Sequence, residues 1–248
     1  KILAFIRLSI YNRVSAKFFI GTTEGSYLIK ENIEAIEKRM ADAAARAGRS
    51  DTVTLIAVTK NHPVECMKEA AADGIVNVGE NRVQEAMEKI KEFPENHLVW
   101  HLIGHLQTNK AKQAVAHFDL IHSIDSEHLL KAVDKEAGKI GKVQDILLQV
   151  NVAREESKFG MEVEDFPRIS ALAKELPHVR VCGLMCMAPN FDNVEDTRPI
   201  FRIAHALYED MKPQFPEGQV RYLSMGMTHD FEIAIEEGAN MVRVGTAI

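Results

Sequence analysis

Eight short runs dominated by apolar residues, each separated from the next by a helix-length segment, recur from residue 53 to the end of the chain, and this rhythm restricts the fold more than any other feature. The runs are Val53–Val58, Ile75–Val78, Leu98–Ile103, Leu120–Ile124, Asp145–Val152, Val179–Met187, Val220–Ser224 and Met241–Val244. Most are rich in Val, Ile and Leu and read as apolar on both faces, as expected for parallel strands covered by helices. Ahead of them an amphipathic stretch from about Ile29 to Ala47 predicts a helix ended by Gly48, and Pro63 and Gly74 bracket the next one. Strands alternating with helices, with no run of consecutive strands, predict an α/β fold: a closed (β/α)₈ barrel of the TIM type, one domain over residues 29–248. An open doubly wound sheet is the competitor. It would carry a glycine-rich loop after its first strand, where this chain reads Thr59-Lys60-Asn61-His62-Pro63.

With 248 residues, 46% of them hydrophobic and 27% charged, the chain can bury a core of its own. A net charge of −6, with Lys and Arg scattered among acids, argues against a nucleic-acid partner. The first 28 residues stand apart as an atypical extension: Lys1, Arg7, Arg13 and Lys17 punctuate an apolar stretch whose only acid is Glu24. That pattern has the flavour of a targeting peptide, but the basic residues break it below the length of a membrane span, so no membrane partner is expected. The three cysteines, Cys66, Cys182 and Cys186, form neither a disulfide framework nor a zinc motif, and the expected compartment is cytoplasmic. Cys182 and Cys186 share one predicted strand, about 13 Å apart, and cannot bridge there.

In such a barrel the C-terminal ends of the strands form the reactive rim. The first strand presents Lys60, an amine expected to be partly desolvated and so more nucleophilic, or else a surface lysine opening a loop. The second ends at Asn81, able to bond a cofactor's ring substituent or to cap a helix starting at Arg82. His101 and His105 have the spacing of a helical metal pair but fall in a strand and the turn after it, so no metal site is expected. The last two strand ends are the richest. Ser224, Gly226 and Thr228 offer two hydroxyls and a glycine backbone to an anion, just before a helix expected to begin near Thr228, which is otherwise its N-cap; Met225 is a further cofactor contact or ordinary packing. Arg243, opposite Val242 and Val244 on its strand, would place a guanidinium inside the barrel, in need of an acceptor, and Gly245-Thr246 adds a second anion-binding turn. Lys110 and Lys158 are further cations near the rim, or solvated charges. An amine and a phosphate clamp on one rim suit a pyridoxal 5′-phosphate Schiff base. An aldolase-like Schiff base with a sugar phosphate is an alternative.

Several ordered blocks carry a resemblance: Ala57-Val58-Thr59-Lys60, Gly79-Glu80-Asn81-Arg82-Val83-Gln84-Glu85, Trp100 through Lys110, His122-Ser123-Ile124-Asp125-Ser126, Lys158-Phe159-Gly160, Gly183-Leu184-Met185, Leu223 through Phe231, and Val242 through Ile248. From about Ile29 onward the chain resembles the pyridoxal phosphate homeostasis protein family. The resemblance implies a barrel like the N-terminal domain of alanine racemase, with the cofactor as an internal aldimine on Lys60. It also implies a phosphate held around Ser224 and Thr228 and on Gly245-Thr246, with Arg243 facing the pyridine nitrogen. A guanidinium there disfavours ring protonation and weakens the cofactor as an electron sink. The implied role is a non-catalytic, monomeric, cytoplasmic protein that buffers pyridoxal 5′-phosphate or delivers it to apo-enzymes that depend on it. The rival reading is an alanine racemase-like enzyme. Racemisation needs acid–base groups on both faces of the substrate carbon, and alanine racemases draw the second from an additional β-domain.

Overall fold

The computed structural model describes residues 23–94, 97–155 and 159–248. Helix α1 (Thr23–Arg46) precedes the strands β1 (Thr54–Val58), β2 (Asn77–Glu80), β3 (Val99–Leu102), β4 (Leu120–Ile124), β5 (Gln144–Val150), β6 (Val179–Cys186), β7 (Tyr222–Met227) and β8 (Met241–Val244). Between them run α2 (Val64–Ala72), α3 (Val83–Glu92), α4 (Ala111–His117), α5 (Glu127–Lys139), α6 (Phe166–Ala173), α7 (Arg198–Met211) and α8 (Phe231–Glu236). The strands close in sequence order into a parallel barrel, with β8 returning to β1. This is the (β/α)₈ barrel that the alternation predicts.

Successive residues along a strand point to opposite faces, and this divides the interior into two cores. Leu55, Ala57, Val78, Trp100, Leu102, Ile121, Leu223, Met225, Val242 and Val244 pack outward beneath the helices. Ile56, Leu120, Leu147, Cys182, Met185 and Met241 form a separate apolar cluster inside the barrel. The inner face carries more polar groups than the expected Arg243. The alternation that sends Trp100 and Leu102 outward turns His101 inward, and the same parity applies to Asn77, His122, Ser224 and Arg243.

Helix α1 fills the place of the helix that would follow β8. Ile33, Ile36, Met40, Ala43 and Ala44 form its buried stripe at helical spacing. Arg39 and Arg46 pair with Glu232, and Arg46 also with Glu236, on α8. Asn32 Nδ2 donates to the Ile248 carbonyl at 3.1 Å, tying the segment after β8 to this helix. The exposed ion pairs contribute little, so the apolar stripe supplies most of the hold. Because α1 begins at Thr23, the helix includes residues 23–28, which the sequence assigned to the extension; the remainder of that extension lies outside the described residues.

Two strands differ from expectation in ways that matter. Strand β2 runs later, Asn77–Glu80 rather than Ile75–Val78, and β7 runs Tyr222–Met227 rather than Val220–Ser224. Strand β7 continues through Gly226, a residue that reads as a loop former in the sequence. Gly226 has φ +93°, and a Cβ there would lie 2.6 Å from Ala234 Cβ and 2.9 Å from Phe231 Cα. Its missing side chain therefore lets α8 sit against the strand.

Candidate functional site

The rim at the C-terminal end of the barrel gathers residues from the two ends of the chain because β1 lies between β8 and β2. Ala57 is in register with Val244, and Val58 with Gly79. Lys60 is two residues beyond Val58, Asn81 two beyond Gly79, and Gly245 directly follows Val244. The approach at β8 is close: a Cβ on Gly245 would lie 3.1 Å from both Cβ and the carbonyl oxygen of Val58. Gly245 N–H donates to Thr228 Oγ1 at 3.3 Å, and the Thr246 and Thr228 hydroxyls are 3.4 Å apart. Thr228, Gly245 and Thr246 thus form one cluster of two hydroxyls and an amide, on the rim that carries Lys60 and Asn81.

Arg243 sits below this cluster in the barrel wall and is buried. Its Nη1 donates to Ser224 Oγ at 2.5 Å and its Nη2 to the Cys186 carbonyl at 3.0 Å. Burial pulls its pKa down to about 10, opposed chiefly by the negative charge of Asp230. The guanidinium nonetheless remains charged at neutral pH.

Several expectations need correction. The Ser224 hydroxyl is inside the barrel, engaged by Arg243 and His122, and is not at a loop open to a phosphate. Met225 packs into the outer core. Helix α8 starts at Phe231, not near Thr228, and is six residues long. Asp230, not Thr228, occupies its N-cap position, and Asp230 Oδ1 accepts from Met227 N–H at 2.6 Å. Asn81 does not cap α3, which begins at Val83 after Arg82. The Lys60 side chain is exposed, not partly desolvated. Lys110 is half-buried at the end of a single helical turn, Thr108–Lys110, and Lys158 lies outside the described residues.

His101 and His105 part company as a strand and turn require. His105 stacks on Phe159 with ring centroids 3.8 Å apart and lies 3.4 Å from Asp125, whereas His101 is buried in the barrel. Among the described residues no group of three or more His, Cys, Asp or Glu could hold a metal ion.

Two polar networks were missed in the sequence. The first anchors the loop carrying Lys60. Lys89 Nζ donates to the Thr59 carbonyl at 2.6 Å, to Glu80 Oε1 at 2.7 Å and to Glu85 Oε1 at 3.0 Å. Thr59 Oγ1 donates to Glu80 Oε1, and Asn61 N–H to Glu85 Oε1. The residues on either side of Lys60 are thereby fixed from α3, and Asn61 adopts φ +61°. Its sequence trace was the Glu85–Lys89 pair, four residues apart on one helix face.

The second network links Asn77, His101, His122, Ser224 and Arg243. Burial lowers the His101 pKa from 6.5 to about 3 and moves that of His122 well below its ordinary value, with the charges of His101 and Arg243 adding to the latter. Both rings are therefore neutral in the fold but take up protons when the chain unfolds. The stabilisation from their neutrality is fully present above pH 6.5 and is lost as pH falls toward the folded values. Two such groups predict a loss of about 2.7 kcal/mol per pH unit once the pH is well below 6.5. Chemical denaturation across acidic pH checks this, and the His101→Gln/His122→Gln variant should lose most of the slope. An unchanged slope would place the acid sensitivity elsewhere.

Comparison with known proteins agrees with this architecture. The family model described as alanine racemase, N-terminal domain, matches residues 32–248. A pyridoxal phosphate homeostasis protein of Aquifex aeolicus is 41% identical over 219 residues, covering 88% of this chain and 96% of that protein. Its Escherichia coli counterpart is 36% identical over 225 residues, covering 89% and 95%. Among solved structures, PipY of Synechococcus elongatus is 37% identical and covers 88% of this chain and 98% of its own, with TM-scores of 0.80 without pyridoxal phosphate and 0.74 with it bound. Alanine racemase of Clostridium difficile is 12% identical at a TM-score of 0.70, a likeness of fold alone. By sequence along nearly its whole described length and by fold, the chain belongs to the pyridoxal phosphate homeostasis protein family.

Proposed function

We propose that this chain binds pyridoxal 5′-phosphate reversibly at the rim and serves to buffer the cofactor or deliver it to enzymes that require it, without turning over a substrate of its own. The observation that carries this reading is the shared edge of the barrel: β1, which leads to Lys60, pairs with β8, and the Gly245–Thr246 turn that follows β8 clusters with Thr228 after β7. The donor set fits the cofactor. When bound, pyridoxal phosphate supplies an aldehyde that a lysine amine can attack. Lys60 would be that amine, Thr228 and Thr246 with the neighbouring backbone amides would hold the phosphate, and Asn81 and Arg243 would hold the ring, Arg243 on the side of its nitrogen. Ser224, Met225 and Gly226 act behind this layer, as support for Arg243 and α8.

A carrier role is favoured over racemisation by sequence likeness, 41% identity to the Aquifex homeostasis protein against 12% to the alanine racemase, whose likeness is of fold alone. Among the described residues no helix is long and apolar enough to cross a membrane. We infer a cytoplasmic monomer whose partners are the cofactor and pyridoxal phosphate-dependent apo-enzymes.

The phosphate assignment has its own test. Replacing both Thr228 and Thr246 by valine removes two hydroxyl donors and should weaken pyridoxal 5′-phosphate binding by about thirtyfold to a hundred-and-fiftyfold, at ~1–1.5 kcal/mol for each hydrogen bond. Binding of pyridoxal, which lacks the phosphate, should hardly change. An equal loss for both ligands would remove the phosphate from these threonines. Turnover of an amino acid's chirality at ordinary enzymatic rates would overturn the carrier reading.

A further inference from the structure

The polar groups inside the barrel form a chain whose hydrogen-bond directions can be derived. Arg243 Nη1 is 2.5 Å from Ser224 Oγ, Ser224 Oγ is 3.0 Å from His122 Nδ1, His122 Nε2 is 3.0 Å from His101 Nδ1, and His101 Nε2 is 2.9 Å from Asn77 Oδ1. A guanidinium only donates, so the Ser224 oxygen accepts from Arg243. Among the contacts of the described residues, the acceptor for the Ser224 hydroxyl proton is His122 Nδ1, which leaves the His122 proton on Nε2. That N–H faces His101 Nδ1, so His101 also carries its proton on Nε2 and donates it to Asn77 Oδ1. Every bond therefore runs the same way, from Arg243 into the barrel.

A buried arginine is usually paired with a carboxylate. Arg243 instead meets two neutral oxygens, Ser224 Oγ and the Cys186 carbonyl, and among the described residues no carboxylate lies within 4.0 Å of it. Asp230 acts on it only at longer range, its Oδ1 being held by the Met227 amide. In a chain of bonds running one way, each donor polarises the next, and the negative end of every dipole faces the guanidinium.

We propose that Ser224, His122, His101 and Asn77 are positioning residues that hold the Arg243 charge through neutral dipoles in place of a contacting carboxylate, so that the guanidinium would present its positive charge to the cofactor ring. This rests on the pyridoxal phosphate reading and deepens it, by naming what keeps the ring nitrogen unprotonated. A bare positive charge beside that nitrogen opposes a second one, whereas a carboxylate at Ser224's place would relieve the opposition.

The test begins with the ligand-free chain. Nitrogen NMR of isotope-labelled histidine should show His101 and His122 neutral near neutral pH, each protonated on Nε2. A proton on Nδ1 of either ring overturns the directed chain. After reconstitution with nitrogen-labelled pyridoxal 5′-phosphate, the ring nitrogen should be unprotonated in the parent. It should remain so in Ser224→Ala, with retention of the cofactor reduced about tenfold, and should become protonated in Ser224→Asp. A ring nitrogen unaffected by Ser224→Asp in a folded variant overturns the electrostatic role. His122→Gln can still accept and donate, and should keep the parental retention, whereas His122→Leu should lose retention as Ser224→Ala does, with the ring nitrogen unprotonated in both; identical retention of the two overturns the positioning role of His122. A parent chain that takes up no cofactor overturns the functional reading instead, and the tautomer measurement still decides the direction of the chain.

Discussion

Replacing Lys60 by alanine is expected to remove the near-visible absorption that the chain acquires with pyridoxal 5′-phosphate and to weaken binding by about a hundredfold or more, where each factor of ten is ~1.4 kcal/mol. Some phosphate-dependent affinity should remain, because Thr228, Gly245 and Thr246 are held by β7 and β8 and by one another, independently of the amine. The ligand-free variant should unfold within about 0.5 kcal/mol of the parent, since the side chain is exposed. Absorbance titration and denaturant unfolding of the same samples check both halves. A large loss of ligand-free stability would make Lys60 a structural residue, and undiminished absorption would move the aldehyde to another amine.

The second large effect is expected at Lys89, which bonds the backbone of Thr59 next to Lys60. Glu80 is fully buried at the end of β2, with Oε1 bonded to Lys89 and Thr59 and with no partner for Oε2 among the described residues. Desolvation already raises its pKa, against the lowering effects of Lys89 and Thr59. Lys89→Met removes the compensating cation and should cost about 3–5 kcal/mol at neutral pH. The pH dependence has a definite sign. A carboxyl whose folded pKa lies above its unfolded value is favoured by folding in the protonated form, so that contribution is present at low pH and lost as pH rises through the folded pKa. Without Lys89 the folded value rises further. The deficit of the variant should therefore be largest at neutral pH and above, and should narrow as pH falls and Glu80 takes up a proton. Glu80→Gln combined with Lys89→Met should recover much of the stability. A deficit that does not vary with pH would mean that lost packing, not the stranded carboxylate, sets the cost. Because Thr59 and Asn61 lose their anchors, Lys89→Met should also slow capture of the cofactor by Lys60.

How much of this was legible in the sequence follows from the range of the interactions involved. The barrel was legible because strand identity is carried locally, by Val, Ile and Leu runs bracketed by Gly and Pro. The rim was legible because closing such a barrel brings β8 beside β1, so Lys60 and Gly245-Thr246 had to share an edge. What was lost depended on strand parity and on partners distant in the chain. Ser224 reads as a loop hydroxyl next to Gly226, and only the continuation of β7 to Met227 shows that it turns inward to Arg243. His122 sits between Ile121 and Ser123 in a run that reads as apolar, and its partners are 21 and 102 residues away. The exposure of Lys60 was likewise not readable, since its position at the lip of an apolar strand does not fix where a long flexible side chain goes.

The most direct test of the central claim is chemical trapping. The chain is incubated with pyridoxal 5′-phosphate, reduced with borohydride and digested, and the labelled peptides are identified by mass spectrometry. The shared rim of amine and anion cluster predicts a single labelled site, Lys60, dependent on the cofactor's phosphate and suppressed by the Thr228/Thr246 double substitution. Label distributed over surface lysines such as Lys112 and Lys139, or label on Lys60 that ignores the phosphate, would contradict it.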